Sequence, residues 1–333
     1  MASGQDAIGI TTTLPIEVLF AAGRRPLDLN NLFVSDESPA ALVAFAETKG
    51  FPQSACAWIK GIYGAVHKHG IREVVGVVEG DCSDTGALLD VLRSEGVKVH
   101  GFAFPHSRRR EDLEREIARL TEALGGTLAG AEAQKRELDE IRRLGQAIDE
   151  RAARFAGPSS VSLFQALLSL SDFLGAPEEC RRRLEAWPPD APLAGKAVRL
   201  AVAGVPAILS DLWEVVESCG GRVVFHEIPR QFAMLPAIGK ELAISYLEYT
   251  YPYDIAARLE DLAREIARRR CQGLLHYVQS FCHRQIHDRL LRERLGIPIL
   301  TIEADRPGPV DERTRTRIEA FLEQLRGTAG ASL

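Results

Sequence analysis

Apolar residues follow two rhythms in this chain, and their alternation outlines a fold. Continuous apolar runs closed by Gly or Pro mark buried strands, first at 74–79 ahead of Gly80-Asp81 and then at 97–104 ahead of Pro105. Between them, at 53–67 and 85–94, apolar positions recur at helical spacing. Near the N-terminus Pro15 suits the first turn of a helix and Gly23 its stop, and 26–29 reads as a short strand. The same alternation returns later, with strands at 198–204, 222–227, 274–278 and 299–303 and helices at 210–219, 254–270, 284–295 and 312–325. Such alternation implies parallel sheets with right-handed crossovers.

The middle of the chain differs. From 108 to about 174 it is helical and charged, and the mixed signs of RRREDLERE at 108–116 read as a solvated helix face with i,i+4 pairs. The prolines of WPPDAP at 187–192 mark a linker. The expectation is two open parallel-sheet, flavodoxin-like α/β domains, at 1–107 and 195–333, with a helical insertion and linker at 108–194. Ligands of such sheets sit beyond the carboxyl ends of the strands, so the cleft between the domains is the expected site.

Composition narrows the function classes. In 333 residues, 46% are hydrophobic and 26% charged, ordinary for a globular protein able to build cores. Lys plus Arg number 41 against 46 for Asp plus Glu, a net charge of -5 that argues against a nucleic-acid binder. The apolar-rich stretch 161–174 is broken by Ser, Gln and Asp and too short to span a bilayer. No basic region followed by an apolar core opens the chain, so the expected location is the cytoplasm, away from membranes.

Six cysteines in a chain of this length do not suggest a disulfide scaffold, and there is no CxxC pair and no HExxH. Cys82 follows the strand at 74–79 and Cys282 the strand at 274–278, at the sheet edges where α/β proteins place their chemistry. Cys56 lies near the start of a helix, where the N-terminal dipole favours a thiolate. Three thiolates converging on one cleft point to a soft metal or an iron–sulfur cluster. Cys180, Cys219 and Cys271 are weaker candidates, and the alternative that all six are small buried hydrophobes stands beside this reading.

Eight stretches run in one order over nearly the whole chain: GITTTLPIEVLFAAG (9–23), CAWIKGIYG (56–64), VEGDCSD (78–84), VAGVP (202–206), VVESCGGRVV (215–224), QSFC (279–282), GIPILTIEAD (296–305) and TRIEAFLE (316–323). In that order they resemble the 2-hydroxyacyl-CoA dehydratase subunit family, which also contains benzoyl-CoA reductase subunits and double-cubane cluster proteins. The resemblance implies that Cys56, Cys82 and Cys282 bind one [4Fe-4S] cluster between the domains. It also implies ketyl-radical elimination of water from a 2-hydroxyacyl-CoA, with an electron from a separate ATP-hydrolysing iron–sulfur activator. The partner would be a second dehydratase-type subunit or another copy of this chain. No GxxxxGK[ST] motif occurs, which argues against a P-loop ATPase in the chain itself.

The chain departs from the pattern it resembles in three ways. Cysteine is missing at 64–69, 225–229 and 246–251, which disfavours a double cubane. The family's Cys-Asp pair reads Cys82-Ser83 here, with Asp81 and Asp84 on either side. The longer N-terminal helical region of typical dehydratase subunits is expected to be absent. That motivates the alternative of a cluster-carrying electron-transfer or small-molecule reductase protein without acyl-CoA activity.

Further candidates are His283, as a donor beside the cluster or a surface histidine, and Glu17, as a catalytic carboxylate or a partner of its helix N-terminus. Glu303 and Asp305 end a strand near the expected cleft, and Asp305 also suits a cap of the closing helix. Tyr246, Tyr249, Tyr251 and Tyr253 read as core packing, with an acyl pocket as the alternative.

Overall fold

A computed structural model describes residues 6–154, 157–188 and 197–330. Of the linker expected at 187–192, residues 189–192 lie outside the described residues.

Two four-stranded, all-parallel sheets organise the chain, as the strand–helix alternation implies. The first holds β1 (Ala7–Ile10), β2 (Arg25–Asp28), β3 (Glu73–Glu79) and β4 (Lys98–Ala103) in the order β2-β1-β3-β4. The second holds β5 (Val198–Gly204), β6 (Gly221–His226), β7 (Gly273–Gln279) and β8 (Ile299–Ala304) in the order β6-β5-β7-β8. Each is an open α/β sheet whose order reverses once, at β1/β3 and at β5/β7. Strands β5 and β7 are buried at every position, which is why they read as mostly apolar runs, interrupted only by Arg199, His276 and Gln279.

Helices cover the first sheet through a core that includes Ile59, Ile62, Val66, Val74, Leu88 and Leu92. The helix Ala57–Lys68 packs closely on Pro39–Thr48 because Gly64 has no side chain: a Cβ there would stand 2.6 Å from the Leu42 carbonyl oxygen. The second sheet buries Ala201, Phe225, Leu262, Ile266, Leu274 and Leu291 together.

Four helices went unanticipated, and three of them, Leu29–Val34, Glu227–Phe232 and Leu242–Leu247, have only six residues. The fourth is Pro39–Thr48. A six-residue helix carries less than two turns of periodicity and depends on its caps and packing. At Leu29–Val34 the cap is Asp28, whose Oδ1 accepts from the Asn30 N–H at 2.9 Å. The strand expected to reach 227 stops at His226 because Glu227 opens a helix and is held by the Arg258 guanidinium. The helix expected at 284–295 is a 3-10 turn, His283–Ile286, followed by the α-helix His287–Arg294. The charged middle forms the helices Arg110–Ala123, Leu128–Ala152 and Ser160–Leu168, with exposed pairs such as Arg110–Glu114.

The chain divides into two compact units that interleave in sequence. The first comprises Met1–Gly145, Leu168–Ala186 and Gln231–Asp254, and the second Gln146–Leu167, Trp187–Arg230 and Ile255–Leu333. The boundary at Gly145 falls inside the helix Leu128–Ala152. No helix among the described residues is long and apolar enough to cross a membrane.

Candidate functional site

All six cysteines are free thiols. Three of them occupy one kind of position. Cys56 is the N-cap of Ala57–Lys68, Cys82 the N-cap of Ser83–Ser94, and Cys282 the N-cap of the 3-10 turn His283–Ile286. Each is half-buried at the start of its helical segment. Cys180 sits inside Pro177–Glu185, where its thiol contacts Ser169; Cys219 is a helix C-cap; Cys271 is buried at the N-terminal side of β7.

The backbone shows how the first unit presents Cys82. Strand β3 leaves the sheet at Gly80, whose φ of +96° suits glycine, and a Cβ there would meet Pro252 at 2.8 Å and Phe104 at 2.9 Å. Asp81 then accepts from the Cys82 N–H at 2.8 Å and from the Thr85 hydroxyl at 3.0 Å. The Cys82 sulfur lies 3.6 Å from Thr85 Oγ1. Burial and the Asp81 carboxylate push the Cys82 thiol up, outweighing its helix N-terminus, so in the absence of a cation this sulfur keeps its proton. A metal would displace that proton.

In the second unit Cys282 follows β7 through Ser280 and Phe281. Ser280 Oγ donates to Glu303 Oε1 at 2.8 Å, and the Cys282 N–H returns to the Gln279 carbonyl at 3.0 Å. Phe281 takes a left-handed φ of +62° and is 80% exposed, and Ile286 is 77% exposed, so apolar surface flanks the thiol on both sides in sequence. Cys82 and Cys282 follow β3 and β7, each at the reversal of strand order, where open α/β sheets bind ligands. Among the described residues no three His, Cys, Asp or Glu side chains stand ready-assembled around one metal position.

The remaining candidates fall as follows. His283 is exposed and its ring stands 6.3 Å from that of His287, edge to face. Glu17 is 0% exposed in the first turn of Ile16–Ala21. Its Oε1 pairs with Arg142 at 2.8 Å and its Oε2 accepts from the Tyr246 hydroxyl at 2.8 Å. Arg142 also pairs with Asp139, which pairs with Lys135, forming a buried chain of alternating charges. Burial disfavours the Arg142 charge, but Glu17, Tyr246 and Asp139 more than offset it. None of these partners is near Glu17 in sequence. Tyr246 and Tyr249 are core residues packed against Phe104, tilted and edge to face respectively, and the Arg108 guanidinium lies 4.6 Å from the Tyr253 ring centre. Asp305 does not cap the closing helix Glu312–Gly330; Asp311 does, accepting from the Thr314 N–H at 2.7 Å.

A family model described as 2-hydroxyglutaryl-CoA dehydratase, D-component, matches residues 11–325. The chain belongs to this family. The dehydratase match starts directly after β1 and ends within the closing helix, so it takes in the other three strands of the first sheet, the whole second sheet, Glu17, His283 and all three N-cap cysteines. Membership makes the chain a component of a 2-hydroxyacyl-CoA dehydratase-like enzyme and implies a dehydratase-type partner component. No curated protein matches the chain.

Proposed function

We propose that this chain is the iron–sulfur subunit of a 2-hydroxyacyl-CoA dehydratase-like enzyme, with Cys56, Cys82 and Cys282 as ligands of a single [4Fe-4S] cluster. The observation that carries the reading is the shared position of these three cysteines: half-buried N-caps that each open a helical segment, in a chain of the dehydratase family. The donor set suits the group, since thiolates are the usual cubane ligands. When bound, a cubane held by three cysteines supplies one-electron reactivity and an iron open to an oxygen ligand.

The chain's own residues prepare that position. The N-termini of Ala57–Lys68 and Ser83–Ser94 offset the negative charge of the thiolates at Cys56 and Cys82. Asp81, tied to Thr85 and to the Cys82 N–H, fixes the turn out of β3. Phe281 and Ile286 lend apolar surface beside Cys282, suited to an acyl chain.

The reaction assigned is loss of water from a 2-hydroxyacyl-CoA by a ketyl-radical route. It uses an electron from a separate ATP-hydrolysing activator, a second dehydratase-type subunit or another copy of this chain as partner, and the cytoplasm as location. The test is iron and acid-labile sulfide per chain, with EPR of the dithionite-reduced protein, on material prepared without oxygen. About four of each, lost on Cys56→Ser, Cys82→Ser or Cys282→Ser and retained on Cys219→Ser, supports the assignment. Folded protein that takes up no iron overturns it. Perturbation of the EPR signal by an acyl-CoA separates a dehydratase from an electron carrier of the same fold.

A further inference from the structure

Two carboxyl groups are buried together in the first unit, Asp28 with 1% and Asp172 with 5% exposure. Asp28 ends β2 and accepts at Oδ1 from the backbone and side-chain amides of Asn30, both at 2.9 Å, while its Oδ2 lies 2.7 Å from Ser171 Oγ. Asp172 accepts at Oδ2 from the Asp28 N–H and at Oδ1 from the Leu174 N–H, both at 2.8 Å. All these partners are neutral.

The groups around the pair supply little countercharge. On β2, Arg25 lies alongside Gly175, where a Cβ would approach its Cγ to 2.7 Å. Arg142 sits 5.2 Å from the Phe173 ring centre but is committed to Glu17 and Asp139. From Pro177–Glu185 comes Cys180, a thiol pushed up to about 12 by burial, with Asp172 adding to the shift. Leu29–Val34 offers the neutral Asn30 and Asn31. Two buried, adjacent carboxylates without a dedicated cation cannot both ionise cheaply.

What the pair holds is a strained turn. Phe173, Leu174 and Gly175 have φ of +52°, +58° and +62°, three consecutive left-handed residues of which two carry side chains. Asp172 N-caps this 3-10 turn. The turn in turn seats Phe173, fully buried, edge-on to Phe20 at 6.3 Å and against the guanidinium of Arg142.

We propose that Asp28 and Asp172 share one proton, and that this proton latches the left-handed turn Phe173–Gly175, which loosens as the proton is lost. Burial, with the Asp28 charge added to it, pushes Asp172 up to about 7, and burial raises Asp28 as well. Opening the turn returns Asp172 to water, where it ionises in the ordinary carboxylate range. Each pH unit between that range and about 7 therefore favours the open turn another tenfold. Above about 7 both forms are ionised and the dependence stops.

Amide hydrogen exchange on the full chain from pH 5 to 8 tests this, with rates corrected for intrinsic exchange and compared with the β3 amides as a global reference. The Leu174, Gly175 and Ala176 amides should lose protection about a hundredfold between pH 5 and 7, then level off. Asp28→Asn keeps an acceptor for Asn30 and removes the second ionisable group, so it should shift the loss to lower pH. Asp172→Asn should abolish it and serves if the first variant does not fold. A wild-type profile that is flat relative to β3 overturns the proposal, and so does an Asp172→Asn profile identical to wild type.

Discussion

At Gly204, φ is +120° and a Cβ would lie 1.8 Å from the Tyr277 carbonyl oxygen, so β5 and β7 meet there only because the residue is glycine. Gly204→Ala should cost about 4 kcal/mol or more, read as a lowered urea midpoint. The cysteines make the opposite kind of case, because their backbone positions tolerate other residues and their interest is chemical. Cys180→Ala, in a helix interior, should cost about 1–2 kcal/mol in the same assay while leaving iron content unchanged. If Cys82 is a cluster ligand as proposed, Cys82→Ser should lower the iron content with little effect on the apoprotein. Residue placement was legible where a local rule sufficed: a cysteine just past an apolar run lies at a sheet edge, and Cys82 and Cys282 do. Glu17 was not, because its partners Arg142 and Tyr246 lie 125 and 229 residues away. Asp305 and Asp311 show the same limit on a shorter scale, since both precede a helix and only the actual start of that helix decides which one caps it.

Secondary-structure elements sort by how much of their stability is their own. Strands β3, β5 and β7 announce themselves because burial demands apolar residues at nearly every position. The helices Leu29–Val34 and Leu242–Leu247 do not, because each is held by contacts from elsewhere; the first residue of Leu242–Leu247 donates its N–H to Glu132 at 3.0 Å. The long helix Leu128–Ala152 carries its charges inward as well as outward, through Lys135, Asp139 and Arg142. Glu17→Ala should therefore strand a buried guanidinium and destabilise the first unit by about 3 kcal/mol, with Asp139 limiting the damage. Tyr246→Phe, which removes only a neutral donor, should cost about 1 kcal/mol. A denaturation series on both variants checks the order; equal effects would contradict the ionic reading.

Across the whole molecule, buried titratable groups pull stability in opposite directions with pH. His226 is fully buried between Phe164 and Trp213, donates from Nε2 to the Ser160 carbonyl at 3.1 Å, and is depressed to about 3 by burial, with Arg269 adding to it. Folded protein keeps this ring neutral while unfolded protein protonates it near 6.5, so its contribution is complete above that pH and is lost on acidification toward about 3. Asp172 runs the other way, its folded form gaining protons below about 7. Melting temperature measured from pH 7 to 5 should fall less steeply in His226→Gln than in wild type, after allowance for the lower starting stability. An unchanged slope would place the acid sensitivity elsewhere.

The interleaving of the two units also governs the order in which a ribosome can finish them. The first unit needs Gln231–Asp254, which include the Tyr246 hydroxyl for Glu17 and the Pro252 backbone against Gly80. At about 5–20 residues per second, that segment is made several seconds after Gly145. During that interval the nascent first unit lacks the Tyr246 hydroxyl for the buried Glu17 and the Pro252 contact at the exit of β3. A messenger truncated after residue 145 would yield a chain missing part of its own first unit.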